Sequence, residues 1–143
     1  MIMKKLSARE SAVRNCCLSK QTKKTLELKL RAKGFSEEEI ASSVEAMEEI
    51  GYIDEDEYAR AFVRDSYKIK KHGRIRIINE LVLRGISHEK AEKTVRNYGA
   101  DECEIIRETI EKRFDENSDK AKIFKYFYSR GFEADDIRRC IDE

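Results

Sequence analysis

Leu30-Arg31-Ala32-Lys33-Gly34-Phe35-Ser36 returns as Leu81-Val82-Leu83-Arg84-Gly85-Ile86-Ser87 and again as Phe127-Tyr128-Ser129-Arg130-Gly131-Phe132-Glu133. The three glycines lie 51 and 46 residues apart. Four residues before each stands a large apolar side chain, Leu30, Leu81 or Phe127, and directly before each stands a base. One residue after comes Phe35, Ile86 or Phe132. Six and ten after come Ile40 and Val44, Ala91 and Val95, then Ile137 and Ile141. A match at six positions in three copies marks an internal repeat.

The repeat reads as helix, glycine turn, helix. A glycine ends the first helix in the left-handed conformation, and the base before it suits the negative helix end. Ser36 then caps the next helix, with Glu39 spaced for a capping box. Ser87 is an equivalent cap, and Glu133 a poorer one. The spacing of Ile40 and Val44 keeps both on one helix face. One further helix completes each unit. The first would turn Ala8, Ala12, Val13 and Cys16 or Cys17 inward. The second would start at Asp54 and bury Tyr58 or Ala59, Phe62, Val63 and Ser66. The third would start at Asp101 and carry Ile105, Ile106, Ile110 and Phe114. The expected fold is therefore all-α: a tandem array of three three-helix repeat units, elongated and curved. Their expected limits are 1–52, 53–99 and 100–143, with no flexible linker between them.

Composition agrees. Of the 143 residues, 41% are charged and 40% hydrophobic, with six glycines and no proline or tryptophan. That is too few turn residues for an all-β or loop-rich fold. No apolar run approaches the ~20 residues that cross a bilayer, and the start has no apolar signal segment. Cys16, Cys17, Cys103 and Cys140 form no C-x-x-C pair, and adjacent thiols on one helix point apart. Reduced cysteines and a cytoplasmic location follow. The net charge of +1 hides segregation: +8 over residues 1–34, −10 over 35–58, +7 over 59–98 and −4 over 99–143. Such blocks present a basic stripe if the basic ones share a face, and otherwise are solvated helix surface.

A resemblance to a known family rests on three segments in order. Gly51-Tyr52-Ile53-Asp54-Glu55-Asp56-Glu57-Tyr58-Ala59 resembles the signature of the RecX family, bacterial regulators of the RecA recombinase. Gly73-Arg74-Ile75-Arg76-Ile77-Ile78-Asn79-Glu80-Leu81, running on to Arg84-Gly85-Ile86-Ser87, is similar to that family's second-unit pattern. Phe127 to Ile141 resembles its third, and the likeness spans about residues 7–143. The resemblance implies tandem three-helix repeats without catalytic chemistry. They would bind the RecA filament on DNA and modulate, usually by inhibition, strand exchange, ATP turnover and LexA-type coprotease activity. Roles in homologous recombination, DNA repair and the SOS response go with it.

Charge and position then nominate contacts. Lys68, Lys70, Lys71, Arg74 and Arg76 surround Gly73, with His72 among them. Lys20, Lys23 and Lys24 occupy the matching turn of the first unit, and Lys120 and Lys122 that of the third. Arg84 precedes its own turn glycine. Lys23, Arg74 and Lys120 share one repeat position, eleven before the glycine. A row of bases contacts phosphates or acidic protein patches with salt-sensitive, sequence-independent affinity. The expected partners are thus the filament and DNA, mainly single-stranded and weakly bound alone, with no membrane and a monomeric chain. No metal, cofactor or catalytic group is expected: two histidines and no distinctive motif leave little general-base capacity. Asp54–Glu57 lacks the spacing of a calcium loop and reads as a helix start. Tyr52, Tyr58, Phe62 and Tyr67 read as core aromatics rather than stacking platforms. Tyr126 and Tyr128 cannot both face one core. The rival readings are a sequence-independent nucleic-acid-binding module without a recombinase partner, and a protein-docking scaffold.

Overall fold

A computed structural model describes residues 5–143. Among them there are nine α-helices and no strand: α1 (Ala8–Leu18), α2 (Lys23–Ala32), α3 (Glu37–Glu49), α4 (Glu55–Asp65), α5 (Arg74–Leu83), α6 (His88–Tyr98), α7 (Glu102–Arg113), α8 (Lys120–Ser129) and α9 (Ala134–Ile141). A π-helical turn, Ser66–Lys70, extends α4. The chain groups into two compact units. One runs up to Ala59 and takes in Arg84–Ile86, and the other holds Arg60–Leu83 and Ser87–Glu143.

Local chemistry sets the helix ends. The Ser36 hydroxyl accepts from the Glu39 N–H at 3.2 Å, and the Glu39 carboxylate accepts from the Ser36 N–H at 3.1 Å. That reciprocal bond holds the Glu39 carboxyl below the usual carboxylate range. Ser87 accepts from the Lys90 N–H at 3.2 Å, while Asp54 and Asp101 cap α4 and α7 at 3.1 Å. Glu133 makes no side-chain cap. After α2 and α8 the residue following the glycine folds back, Phe35 N–H to the Leu30 carbonyl at 3.4 Å and Phe132 N–H to that of Phe127 at 3.2 Å. This closes the helix end and brings the following aromatic onto the last turn.

In the first unit α1 packs on α2 and α3. Its core is Ala12, Leu26, Leu30, Ile40, Val44, Met47 and Ile53. Cys16 lies against that core and Cys17 faces solvent, which settles the choice between them. In the second unit α5 packs on α6, and α9 on α7 and α8. Ile77, Leu81, Ala91 and Val95 are buried in the former pair, and Ile106, Ile123, Phe127, Phe132, Ile137 and Cys140 form one cluster in the latter. Along α4, Ala59, Val63 and Ser66 are buried, and Tyr58 and Phe62 only partly so. Tyr52 departs from its expected core position. It follows the α3 turn glycine and is 51% exposed, because Ile53, the next residue, fills the core instead.

Each unit also contains a junction of helix ends. The carbonyl of Gly73 accepts the first helical bond of α5, from the Ile77 N–H at 3.1 Å, so a residue without a side chain stands at the cap. Its own N–H donates to the Arg130 carbonyl at 2.8 Å, and the Ile75 N–H donates to the Gly131 carbonyl at 3.1 Å. Between them the Arg74 N–H donates to the Glu102 carboxylate at 2.7 Å. Unsatisfied donors at the positive end of α5 thus meet unsatisfied carbonyls at the negative end of α8. In the first unit the Thr22 hydroxyl, at the cap of α2, donates likewise to the Arg84 carbonyl. Thr22 and Gly73 both lie twelve residues before their turn glycines.

This junction asks more of two glycines than a left-handed turn. A β-carbon on Gly131 would collide with the nitrogen and Cβ of Arg76, and one on Gly85 would stand 2.6 Å from the Lys24 Cβ. Around Gly34 nothing lies within 4 Å. Gly34→Ala is expected to lose about 1–2 kcal/mol, the cost of its positive φ. Gly131→Ala should lose roughly 1–3 kcal/mol more, since the start of α5 has to shift. Urea denaturation of the two variants checks the order.

Candidate nucleic-acid interface

The basic turn between α4 and α5 owes its shape to the π-helical segment. Continued α periodicity would carry Lys70 onto the row of Ala59, Val63 and Ser66, which is buried. The wider turn instead leaves Lys68, Ile69, Lys70 and Lys71 all exposed, Ile69 to 75%. The Ser66 carbonyl accepts from both the Lys71 and the His72 N–H. Lys71 has φ 56°, and it alone among the described non-glycine residues has a positive φ. A non-glycine residue in that region is strained and persists where its surroundings hold it. Here the restraint is the junction two residues on, where Gly73 and Arg74 are tied to Arg130 and Glu102.

The eleven sequence-nominated bases divide by what they touch. Lys23, Arg74 and Lys120 are each the first residue of a helix, where a positive side chain faces the positive end of the helix dipole. Each has an acid beside it. Lys23 is 2.8 Å from Glu48 and 3.9 Å from Glu55, Arg74 pairs with Glu133, and Lys120 is 3.5 Å from Asp142. The Glu48 hydrogen bond raises the Lys23 pKa. Lys20 pairs with Glu57 at 3.3 Å and Arg76 with Glu80 at 2.9 Å. Arg84 lies beside the Tyr58 phenol. Lys24 packs its stem against Gly85. Lys68, Lys71 and Lys122 are exposed with no carboxylate partner among the described residues, and the Lys70 ammonium lies 5.5 Å over the Phe62 ring. Of the nominated bases in the second unit, three of the four without a carboxylate partner among the described residues thus lie on the Lys68–Lys71 turn.

His72 sits behind that turn. Burial, then the nearby Arg76 charge, pushes its pKa down, and its Nδ1 is buried without a hydrogen-bond partner. Two residues escaped the sequence reading. Arg130 lays its guanidinium 3.6 Å from the centre of the Tyr126 ring while its carbonyl takes the Gly73 N–H. Glu102, largely buried, receives the Arg74 N–H. The base before each glycine was a visible signal for Arg130, but Glu102 had none beyond its place in the first turn of α7. Beside Arg74 lies a cavity of about 370 Å³ lined by Tyr67, Ile78, Val95 and charges of both signs, Arg74 and Arg96 against Glu92 and Glu102. No candidate metal-binding group of His, Cys, Asp or Glu occurs among the described residues. None of their helices is long and apolar enough to cross a membrane.

Burial, opposed by the Arg74 N–H and charge, raises the Glu102 pKa. A raised carboxyl pKa in the folded state means that the charged form weakens folding at neutral pH and that the cost fades as the pH falls. Glu102→Gln keeps an acceptor for Arg74 and removes the buried charge. It is expected to match or exceed the parent's stability at pH 7, with the difference closing on acidification. Glu102→Ala, which leaves the Arg74 N–H unpaired, should lose about 1–3 kcal/mol. Denaturation curves across pH 4–8 distinguish these outcomes.

Two family models match the chain. One, described as the second three-helix domain of RecX, covers residues 54–95, and the other, its third three-helix domain, covers residues 100–141. Together they take in more than half of the chain. A regulatory protein RecX from Caldanaerobacter subterraneus subsp. tengcongensis is 35% identical over 123 residues, 85% of this chain and 62% of that protein. The chain thus spans less than two thirds of that relative's length. A regulatory protein RecX from Chromohalobacter salexigens is 26% identical over 145 residues, 99% of this chain and 95% of that one. Among solved structures, the crystal structure of RecX from Lactobacillus salivarius shares the fold with a TM-score of 0.79 at 23% identity, over 94% of this chain and 92% of that one.

Proposed function

The chain belongs to the RecX family of regulatory proteins, and from that premise we propose that it binds the RecA filament assembled on DNA and restrains its recombinase, ATPase and coprotease activities. The observation that carries this reading is the Lys68–Lys71 turn. Its lysines have no carboxylate partners among the described residues, its side chains are exposed, and a helix-end junction holds it from behind. Ammonium groups in such a turn suit a phosphate backbone or an acidic protein patch and give affinity that falls with salt. Units 1–52, 53–99 and 100–143 would act as successive repeats of one array. The protein would work as a cytoplasmic monomer, by binding rather than catalysis and without a metal or cofactor. Affinity for single-stranded DNA alone would be weak. Restraint would come from differential affinity: a protein that prefers one filament geometry shifts the population toward it in proportion to that preference.

Lys20, Lys23, Lys24, Lys68, Lys70, Lys71, Arg74, Arg76, Arg84, Lys120 and Lys122 remain the contact set of this proposal, with separate tasks. Lys68, Lys70, Lys71 and Lys122 would reach the partner directly. Lys23, Arg74 and Lys120 would do so only by exchanging an intramolecular acid for the partner's phosphate or carboxylate. Their contribution should accordingly be smaller and accompanied by a change in stability.

The test is single-stranded-DNA-dependent ATP hydrolysis by the cognate recombinase, titrated with this protein below one copy per recombinase subunit. A fall in rate is expected at such ratios. Lys68→Gln/Lys70→Gln/Lys71→Gln should weaken the effect and leave folding stability within about 0.5 kcal/mol, as exposed positions do. It should also reduce the slope of log affinity against log salt by roughly 2, at about 0.7 per phosphate contact on a single strand. An unchanged titration with the triple variant would remove the turn from the mechanism. An unresponsive ATPase together with tight DNA binding would favour a nucleic-acid module without a recombinase partner.

A further inference from the structure

Helix α8 departs from its surroundings in charge and in what it exposes. Residues 99–143 carry a net −4, yet Lys120–Ser129 holds three lysines and no acid. Its inward side chains are Ile123 and Phe127, both buried in the cluster with Ile106, Phe132 and Ile137. On another face stand Phe124 and Tyr128, one turn apart. Their rings are stacked with centroids 5.5 Å apart and planes within 15°. Tyr128 is 60% exposed, so one face of the stack is open to solvent. The Arg138 guanidinium lies 5.3 Å from the centre of the Phe124 ring, and it also approaches Asp135 at 3.5 Å. Lys125, one turn before Tyr128's neighbour Ser129, is exposed with no carboxylate partner among the described residues, and so is Lys122. The core does not need Tyr128: its companion Tyr126 supplies the aromatic contact there, edge-on to Phe127 at 5.1 Å.

We propose that the Phe124–Tyr128 face of α8 is a base-stacking platform for single-stranded nucleic acid, with Lys125 and Arg138 serving the adjoining phosphates. The inference rests on the reading that the protein meets a DNA strand, and adds that this face takes unpaired bases. The chemistry is direct. An exposed aromatic ring already stacked on a second ring is held flat and offers its free face to another π system. Bases stack on such rings whatever their identity, with surrounding cations on the backbone. A duplex hides its base faces, so the platform selects single strands. A protein partner would instead look for an apolar surface with fewer cations around it, and a helix without an acid, on which Lys122 and Lys125 have no carboxylate partner among the described residues, argues for a polyanion.

The experiment is fluorescence anisotropy of the full chain with a labelled thymidine oligomer of about 16 nucleotides, an abasic strand of equal length and a duplex. The parent should bind the thymidine oligomer more tightly than either of the others. Tyr128→Ala should lose roughly 5- to 100-fold on the thymidine oligomer, the stacking of one base, with no loss on the abasic strand. Tyr128→Phe should retain the preference. Tyr128→Leu, which keeps an apolar contact over Phe124, should behave like alanine and excludes a folding artefact. The proposal fails if the parent shows no preference for bases, if Tyr128→Ala binds as the parent does, or if it loses equally on both strands. Loss of recombinase binding with unchanged oligomer binding would make the face a protein-docking surface and also overturn it. The recombinase ATPase titration on the same samples separates the two readings. A base preference that depends on Tyr128 beside an unresponsive ATPase would sink the regulatory reading and leave this one.

Discussion

A helix cannot satisfy the N–H groups of its own first turn, and the cap position before α5 is a glycine, Gly73, that has no side chain to help. The Arg130 and Gly131 carbonyls, left over at the end of α8, take two of those donors, and the Glu102 carboxylate takes the third. Two helix ends of opposite polarity thus satisfy each other directly. The approach has to be close enough for backbone to meet backbone, which is why Gly73 and Gly131 face each other. A β-carbon on Gly73 would sit 2.5 Å from the Gly131 carbonyl oxygen. Much of the second unit follows from that constraint: the register of α5 against the third repeat, the position of Arg74 beside Glu133, and the anchoring of the turn before it.

That anchoring matters for the interface. The Lys68–Lys71 turn is a wide π-helical turn closed by a lysine in the left-handed region. Both features cost conformational free energy unless something holds them. With its far end fixed at Gly73 and Arg74, the turn can keep four exposed side chains in place, three of them lysines. The Arg74–Glu133 ion pair and the Arg130–Tyr126 contact bear on the same junction. The residues that hold the turn, Gly73, Glu102, Arg130 and Gly131, are therefore distinct from the lysines that would contact a partner, with only Arg74 in both sets, and substitutions in them should have separable effects on stability and on binding.

Much of this architecture was legible. The glycine, the base before it and the apolar residues at fixed distances are local signals, because a helix end and a helix face are local structures. The Ser36 and Ser87 caps, the Asp54 and Asp101 starts, and the buried Leu30, Leu81, Phe127, Ile40, Ala91 and Ile137 all stand as the periodicity placed them. The choice between Cys16 and Cys17, and the exposure of Tyr52, were not readable, since a one-residue rotation at a helix end decides each.

The sequence by itself determined an all-helical, repeated chain, because periodicity and capping act over a few residues and are written into them directly, and its likeness to the RecX family lay in three short segments in a fixed order. The tertiary structure decided which bases are uncommitted. Lys23, Arg74 and Lys120 occupy one repeat position and look alike in the sequence, yet each is opposite an acid 22 to 59 residues further on. Charge alternation along the chain cannot reveal such pairs, because they depend on which helix ends meet. The second role of Gly85 and Gly131 likewise arises only when another helix start arrives against them. Gly34, with the same motif around it and nothing packed upon it, shows that the motif alone does not carry that information.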